Sequence, residues 1–336
     1  MRLKEYDYEL PEELIAQEPI DKRDHSRLLI LNKCNGNIEH KQFFEIIDYL
    51  REDDTLVFNN TRVSAYRLYG NKYSGAEVEA LLTQRLSCGI WEAICKPGKR
   101  LKPGAVIDFG NNLIAEVIDT TKEGGRILKF NSADNPDENI MNHGLVPLPP
   151  YIYKNLADKE RYQTVYAKYD GSAAAPTAGL HFTSDLIGNI QKKGIRTAFI
   201  TLHVGVATFR PVKTENIEDH DMHTEYFEIS EQNAEIINNT KGRIVSVGTT
   251  TVRALESAAV EKRKVSAVNG STKLFIKPGY QFKIVDALIT NFHMPRTTLL
   301  IMVSTLSSRD FIINAYNEAV KEKYRFLSFG DAMFIC

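Results

Sequence analysis

Five of the eight histidines fall between residues 181 and 293: His181, His203, His220, His223 and His293. Each lies close to glycine, threonine, asparagine or an acid. Imidazole titrates near neutrality, so these are the side chains best suited to move protons at pH 7. His220, Asp221, His223 and Glu225 crowd into six residues. Histidine with carboxylate can hold zinc, iron or manganese. However, the HExxH spacing is absent and no cysteine is near, so acid–base or hydrogen-bonding roles are expected and a metal is not. The stretch Ala173 to Phe182 is made of small residues that let backbone approach a ligand closely, and it delivers His181. Gly248-Thr249-Thr250-Thr251-Val252-Arg253 joins a predicted strand to a predicted helix. Backbone N–H groups at such a helix start, with hydroxyls and a guanidinium, suit an anion. The plain alternative for Arg253 is an i,i+3 ion pair with Glu256. Asn291-Phe292-His293 brings an amide and an imidazole to another strand end.

Those residues need a scaffold that gathers strand ends. After residue 150 the chain alternates helix and strand. Helices are predicted over 184–193, 231–240, 250–262, from 298, and over 309–323; strands over 195–202, 243–247, 284–290 and 332–335. The first 60 residues read alike, with an apolar helical stripe from Phe43 to Leu50 and a buried-strand run at 55–58. Between 62 and 149 the texture changes to short strands at 77–82, 90–95, 106–109, 114–118 and 126–130, separated by Gly, Pro and Asn. That rhythm predicts a small antiparallel barrel or sandwich. The expected fold is therefore an α/β domain around a mixed sheet (1–61 and 150–336) carrying an inserted all-β barrel domain (62–149). Ligands of α/β sheets bind at the carboxyl ends of strands, which is where the histidines are expected.

Composition narrows the class. At 336 residues, 43% apolar and 25% charged, the chain can build more than one core. The net charge of −1 lends no global support to nucleic-acid binding. The densest basic cluster is Lys96, Lys99, Arg100 and Lys102, around two Pro-Gly pairs. Cys34, Cys88, Cys95 and Cys336 are scattered without CxxC, as expected of free thiols in a reducing compartment. No apolar run approaches the ~20 residues that span a bilayer. The expectation is a cytoplasmic, monomeric protein without a membrane segment. GxSxG and the P-loop are absent, which argues against the common hydrolase and nucleotidase types.

The same residues carry a family resemblance. Tyr8-Glu9-Leu10-Pro11, Val57-Phe58-Asn59-Asn60-Thr61-Arg62-Val63, Arg161-Tyr162-Gln163-Thr164-Val165-Tyr166 and Ala174 to Thr183 begin it. His203-Val204-Gly205, Thr208-Phe209-Arg210-Pro211, His223-Thr224-Glu225-Tyr226, Thr290-Asn291-Phe292-His293 and Tyr324-Arg325-Phe326 complete it. The chain closely resembles the S-adenosylmethionine:tRNA ribosyltransferase-isomerases of queuosine biosynthesis over nearly its whole length. The resemblance implies an α/β domain with an inserted barrel. It also implies S-adenosylmethionine as a consumed co-substrate and tRNA carrying 7-aminomethyl-7-deazaguanine at the wobble position as acceptor, with adenine and methionine released. A rival is a small-nucleoside transferase that needs no tRNA. The sulfonium acidifies the ribose C5′ protons, so one base is needed there and another at the incoming amine. His181, His203, Glu225 and His293 are the catalytic candidates. The expected substrate-binding residues are Asn59, Asn60, Arg62, Pro176, Thr177, Gly179, Gly205, Thr208, Thr249, Thr250, Arg253, Asn291, Tyr324 and Arg325. Ala173 and Ala207 stand where the family usually has valine and glycine, and Thr305 to Ser308 also departs.

Overall fold

The computed structural model describes residues 1–121, 124–131, 135–205 and 214–336. These divide into two units. One comprises Met1–Thr61, Pro149–Tyr169 and Ala175–Cys336; the other comprises Arg62–Leu148 and Asp170–Ala174.

The larger unit is built on a nine-stranded mixed sheet. Its order is Val268–Thr272, Glu225–Ile229, Arg196–Leu202, Thr55–Asn59, Ile244–Val247, Ala287–Asn291, Ala332–Ile335, Arg27–Leu31 and Ile38–Gln42. Arg196–Leu202, Thr55–Asn59, Ile244–Val247 and Ala287–Asn291 run parallel to one another. Their carboxyl ends therefore share one edge of the sheet. Glu225–Ile229 runs antiparallel to Arg196–Leu202, and Ala332–Ile335 runs antiparallel to Ala287–Asn291 but parallel to Arg27–Leu31, so Glu225 and Ala332 start at that same edge.

The central strands are apolar on both faces, as buried parallel strands must be. Leu28, Ile30, Leu56, Phe58, Val245, Val247, Ala287 and Ile289 point to one side, where Leu186 and Ile190 of helix Ser184–Lys192 cover them. The intervening Leu29, Val57, Ser246 and Leu288 are equally buried. At the opposite edge, Asp54 is fully buried and its carboxylate accepts from Arg243 Nη2 at 2.7 Å and from the Arg243 backbone N–H at 2.7 Å. This pair locks Thr55–Asn59 to Ile244–Val247 and fixes their register.

The second unit holds a closed six-stranded antiparallel barrel: Arg126–Asn131, Ile90–Lys96, Glu77–Ser87, Tyr66–Lys72, Val106–Asp108 and Ile114–Thr120, closing on the first. Leu68, Val78, Leu82, Trp91, Ile107, Val117 and Leu128 fill it. Helix Pro136–His143 caps its interior; buried Asp137 accepts from Trp91 Nε1 at 2.8 Å and from Arg85 Nε at 2.8 Å. The α/β fold with a barrel is as expected from the sequence, and Tyr66–Lys72 is the barrel strand the sequence reading lacked.

Two predicted elements end elsewhere. The helix expected over 250–262 stops at Ser257 and gives way to a hairpin, Ala259–Glu261 with Lys264–Val265. Arg263 turns that hairpin at φ 63°, held there by Asp286 at 2.8 Å and by the carbonyls of Thr240 and Gly242. The strand expected from 284 begins at Ala287, because the N–H groups of Lys283, Ile284 and Val285 all donate to the Glu256 carboxylate, at 2.9–3.0 Å.

Candidate active site at the carboxyl edge of the sheet

Four strand ends meet at the shared edge. Asn59 closes the central strand and is fully buried. Its side-chain amide donates to the Leu202 carbonyl at 3.0 Å and to Thr250 Oγ1 at 3.3 Å, while its Oδ1 accepts from the Leu202 N–H at 3.0 Å. Asn59 thus joins three strand ends, and every polar atom it has is used in doing so. Asn60 accepts from Thr201 Oγ1 at 2.7 Å and extends the same clasp. The next residue, Thr61, places its hydroxyl 2.7 Å from His203 Nδ1. The His203 ring stacks on Tyr226, with centroids 5.7 Å apart and planes within 14°. Of the four catalytic candidates His203 is the one that is half-exposed; the other three are buried.

His181 and His293 sit in a different setting. His181 Nδ1 lies 2.7 Å from Ser26 Oγ, and its Nε2 lies 3.1 Å from Asn291 Nδ2. The Asn291 Oδ1 accepts from Thr177 Oγ1 at 3.0 Å, which orients its amide NH₂ toward the imidazole. His181 Nε2 is then the acceptor and Nδ1–H the donor to Ser26. The ring stacks on Phe43 at 4.9 Å. His293 is bracketed by Tyr316 Oη on Nδ1 at 3.2 Å and Thr290 Oγ1 on Nε2 at 3.4 Å. Both ring nitrogens of each imidazole are committed to protein groups. Burial pushes both imidazoles down to about 3, with Arg23 and Arg325 adding to the effect at His181. They are neutral throughout the physiological range.

That depression has a stability consequence. The unfolded chain binds protons at these histidines near pH 6.5 while the folded chain resists until about pH 3. Their contribution is complete above pH 6.5 and is lost as pH falls toward 3. Urea unfolding at pH 7.5 and pH 5 is expected to show lower stability at pH 5. The difference should be reduced in His181→Asn, and an identical difference in that variant would remove His181 from the account.

Glu225 and Arg253 form a buried ion pair. Arg253 also donates to the Leu274 carbonyl at 3.1 Å and to the His223 carbonyl at 3.5 Å. The i,i+3 partnership of Arg253 with Glu256 does not form, since Glu256 holds the 283–285 backbone instead. Thr249 and Thr250 open the nine-residue helix Thr249–Ser257 behind Gly248, whose φ of 90° turns the chain from strand to helix. No side chain caps that helix start. A Cβ at Gly248 would meet Ala178 Cβ at 3.6 Å, so the helix start and the short helix Thr177–His181 border one another. Gly179 in that short helix is required sterically: a Cβ there would fall 1.9 Å from the Tyr166 hydroxyl. Among the described residues no group of three or more His, Cys, Asp or Glu side chains is placed to hold a metal ion.

The chain matches the family described as queuosine biosynthesis protein over residues 3–335. The chain belongs to that family. A relative from Acetivibrio thermocellus named S-adenosylmethionine:tRNA ribosyltransferase-isomerase is 52% identical over 340 residues, covering all of both chains. The solved structure of S-adenosylmethionine tRNA ribosyltransferase from Thermotoga maritima is 39% identical, covers 99% of this chain and 100% of that one, and superposes with a TM-score of 0.56.

Within this queuosine biosynthesis protein, Asn59, Asn60, Thr177, Thr249, Thr250, Asn291 and His203 all lie at the sheet edge. Pro176 precedes the short helix, and Gly205 follows His203 with open space where a Cβ would be. Tyr324 is fully buried; its hydroxyl meets His40 Nδ1 at 2.7 Å and Arg27 covers its ring at 3.7 Å, a packing position rather than a contact surface. Arg325 is half-exposed and donates to the Glu18 carbonyl. Arg62 lies on the strand Thr61–Val63, partly buried. Thr208 and Ala207 lie outside the described residues. Sequence reasoning passed over Thr61 and Ser26, the hydroxyls on His203 and His181; the Asn-Asn-Thr run at a strand end was the signal for the first.

Proposed function

We propose that the chain transfers and isomerises the ribosyl group of S-adenosylmethionine onto 7-aminomethyl-7-deazaguanine at the tRNA wobble position, giving epoxyqueuosine and releasing adenine and methionine. The observation that carries this reading is end-to-end identity of 52% to a relative bearing the name S-adenosylmethionine:tRNA ribosyltransferase-isomerase. The assembled polar edge supports it.

In this reading His203 is the base that takes the acidified C5′ proton, because it alone among the candidates is half-exposed. Thr61 and the Tyr226 face set its tautomer and plane. His181 and His293 are positioning residues: neutral and fully bonded, they fix Asn291 and the helix Thr177–His181. The open helix start at Thr249 and Thr250 offers backbone N–H groups to an anionic or developing negative oxygen. Glu225 and Arg253 hold the strand end beside His223.

Purified chain incubated with S-adenosylmethionine and tRNA carrying 7-aminomethyl-7-deazaguanine should release adenine and methionine in equal amounts. The wobble nucleoside should gain the matching mass. Adenine release that proceeds equally without tRNA would replace this reading by a small-nucleoside transferase. Among the described residues no helix is long and apolar enough to cross a membrane.

The barrel carries Lys99 and Arg100 on a short turn, with Lys72 Nζ donating to the Arg100 carbonyl at 3.2 Å and Tyr73 81% exposed nearby in sequence. If this face meets the acceptor RNA, Lys99→Glu with Arg100→Glu should weaken tRNA binding. The slope of log K against log salt should then fall by about 1–2. Unaltered affinity and slope would exclude the face.

A further inference from the structure

A small cleft open to solvent lies beside His181, lined by Arg23, Arg161, Ser328, Phe329, Leu180 and Ile20 among others. Its two guanidinium groups are held by backbone. Arg23 donates to the carbonyls of Leu180 at 3.3 Å and Glu160 at 3.0 Å; Arg161 donates to those of Asp21 at 3.2 Å and Ile20. A guanidinium has five N–H donors, so each arginine keeps three beyond those bonds. Arg161 Nε is buried with no partner. Among the described residues neither arginine forms a salt bridge, although Asp158 and Glu160 are near enough to act on Arg23 electrostatically. Burial and the neighbouring Arg161 lower the pKa of Arg23, with Asp158, Tyr166 and Glu160 offsetting part of the effect.

Stapling of the loops explains the four carbonyl bonds. It does not explain the orphaned Arg161 Nε. Arg253, the guanidinium that the sequence offered for an anion, is already neutralised by Glu225. The apolar part of the lining, Ile20, Leu180 and Phe329, suits a ligand whose charge sits at one end only.

We infer that the cleft between Arg23 and Arg161 binds one oxyanion, a carboxylate or a phosphate, carried on an apolar or aromatic body. Taken with the proposed reaction, on which this choice of sources rests, the oxyanion is either the carboxylate of the sulfonium donor or a phosphate of the acceptor RNA.

Arg161→Gln and Arg23→Gln distinguish the two. If the donor's carboxylate occupies the cleft, calorimetry should show S-adenosylmethionine binding about 10- to 100-fold more weakly in each variant, as loss of a charge-assisted hydrogen bond predicts. Decarboxylated S-adenosylmethionine should then bind all three proteins alike. If an RNA phosphate occupies it, donor affinity stays constant, while tRNA binding weakens and its salt slope falls by about 1. Unchanged binding of both, in variants that melt like wild type, overturns the site. Should the variants not fold, phenylglyoxal labelling of the wild-type chain decides instead. Slower modification of Arg161 under saturating S-adenosylmethionine, tRNA or potassium phosphate supports the site, and equal rates under all three overturn it. The labelling needs no turnover, so it stands apart from the adenine-release assay.

Discussion

His203→Ala is expected to lower turnover by about 100- to 10,000-fold, the range a positioned proton-transfer group contributes. The substitution removes a half-exposed ring whose Nδ1 is bonded to Thr61 and whose face rests on Tyr226. Nothing in the core depends on it, so the melting temperature and tRNA affinity should stay near wild type. Thr61→Val offers an independent measure. It keeps the shape of Thr61 and deletes the hydroxyl, so the imidazole loses its orientation while remaining present. A smaller loss of kcat is expected there, with the acid limb of the pH–rate profile displaced. In His181→Asn that limb should stay where it is, because His181 is already neutral well below pH 5. If His203→Ala kept wild-type turnover and pH profile, the base would have to be sought among residues 206–213 or elsewhere.

The second large effect concerns folding. Glu225→Ala leaves the Arg253 guanidinium buried with only the Leu274 and His223 carbonyls. Removing one member of a buried ion pair costs about 3–5 kcal/mol, mostly through the charge left behind. Urea denaturation should show a loss of this size for Glu225→Ala. The double variant Glu225→Leu with Arg253→Met should recover most of it, since no charge is then stranded. A loss below about 1 kcal/mol in the single variant would mean that water reaches the pair. Activity of the stable double variant separates roles: turnover near wild type makes the pair a brace, whereas a folded but inactive protein makes it part of the chemistry.

What the sequence disclosed followed from how openly each element displayed its pattern. Thr55–Asn59 and Ile244–Val247 are buried on both faces and read as plain apolar runs. The barrel strands showed themselves through regular Gly, Pro and Asn punctuation. Ile38–Gln42 escaped notice because it is an edge strand with four polar residues out of five. Glu225–Ile229 escaped for a subtler reason. Its inward positions are Glu225, Phe227 and Ile229, and a buried glutamate at the first of them masks the alternation that marks a strand. The hairpin after Ser257 was hidden by Glu261-Lys262-Arg263-Lys264, a charge run that looks like a solvated helix face.

The site was legible in the same uneven way. Histidines at strand ends could be found by type and position, but their partners could not, because Ser26, Asn291 and His181 come from three distant segments. From residue types alone His203, His181 and Glu225 stand as candidate bases, with His293 in reserve. Only packing separates them: His181, His293 and Glu225 are buried, and His203 stands at the half-exposed edge. Tyr324 shows the reverse case, a motif residue whose place is in the core.

The strand order also bears on how the chain is made. Leu28 pairs with Ala332, and Arg27–Leu31 reaches the rest of the sheet only through Ala332–Ile335. On a ribosome, the segment around Arg27 must therefore wait for residues translated some 300 positions later. The barrel strands, by contrast, find their partner strands between Tyr66 and Asn131, with Leu145 bridging Arg67 a little later, and can pair during translation. A nascent chain halted before residue 332 would carry a finished barrel beside two unpaired sheet edges, Arg27–Leu31 and Ala287–Asn291, both open to pairing with another chain. Quality control of this protein should accordingly act late, on truncated products, and spare the full-length chain.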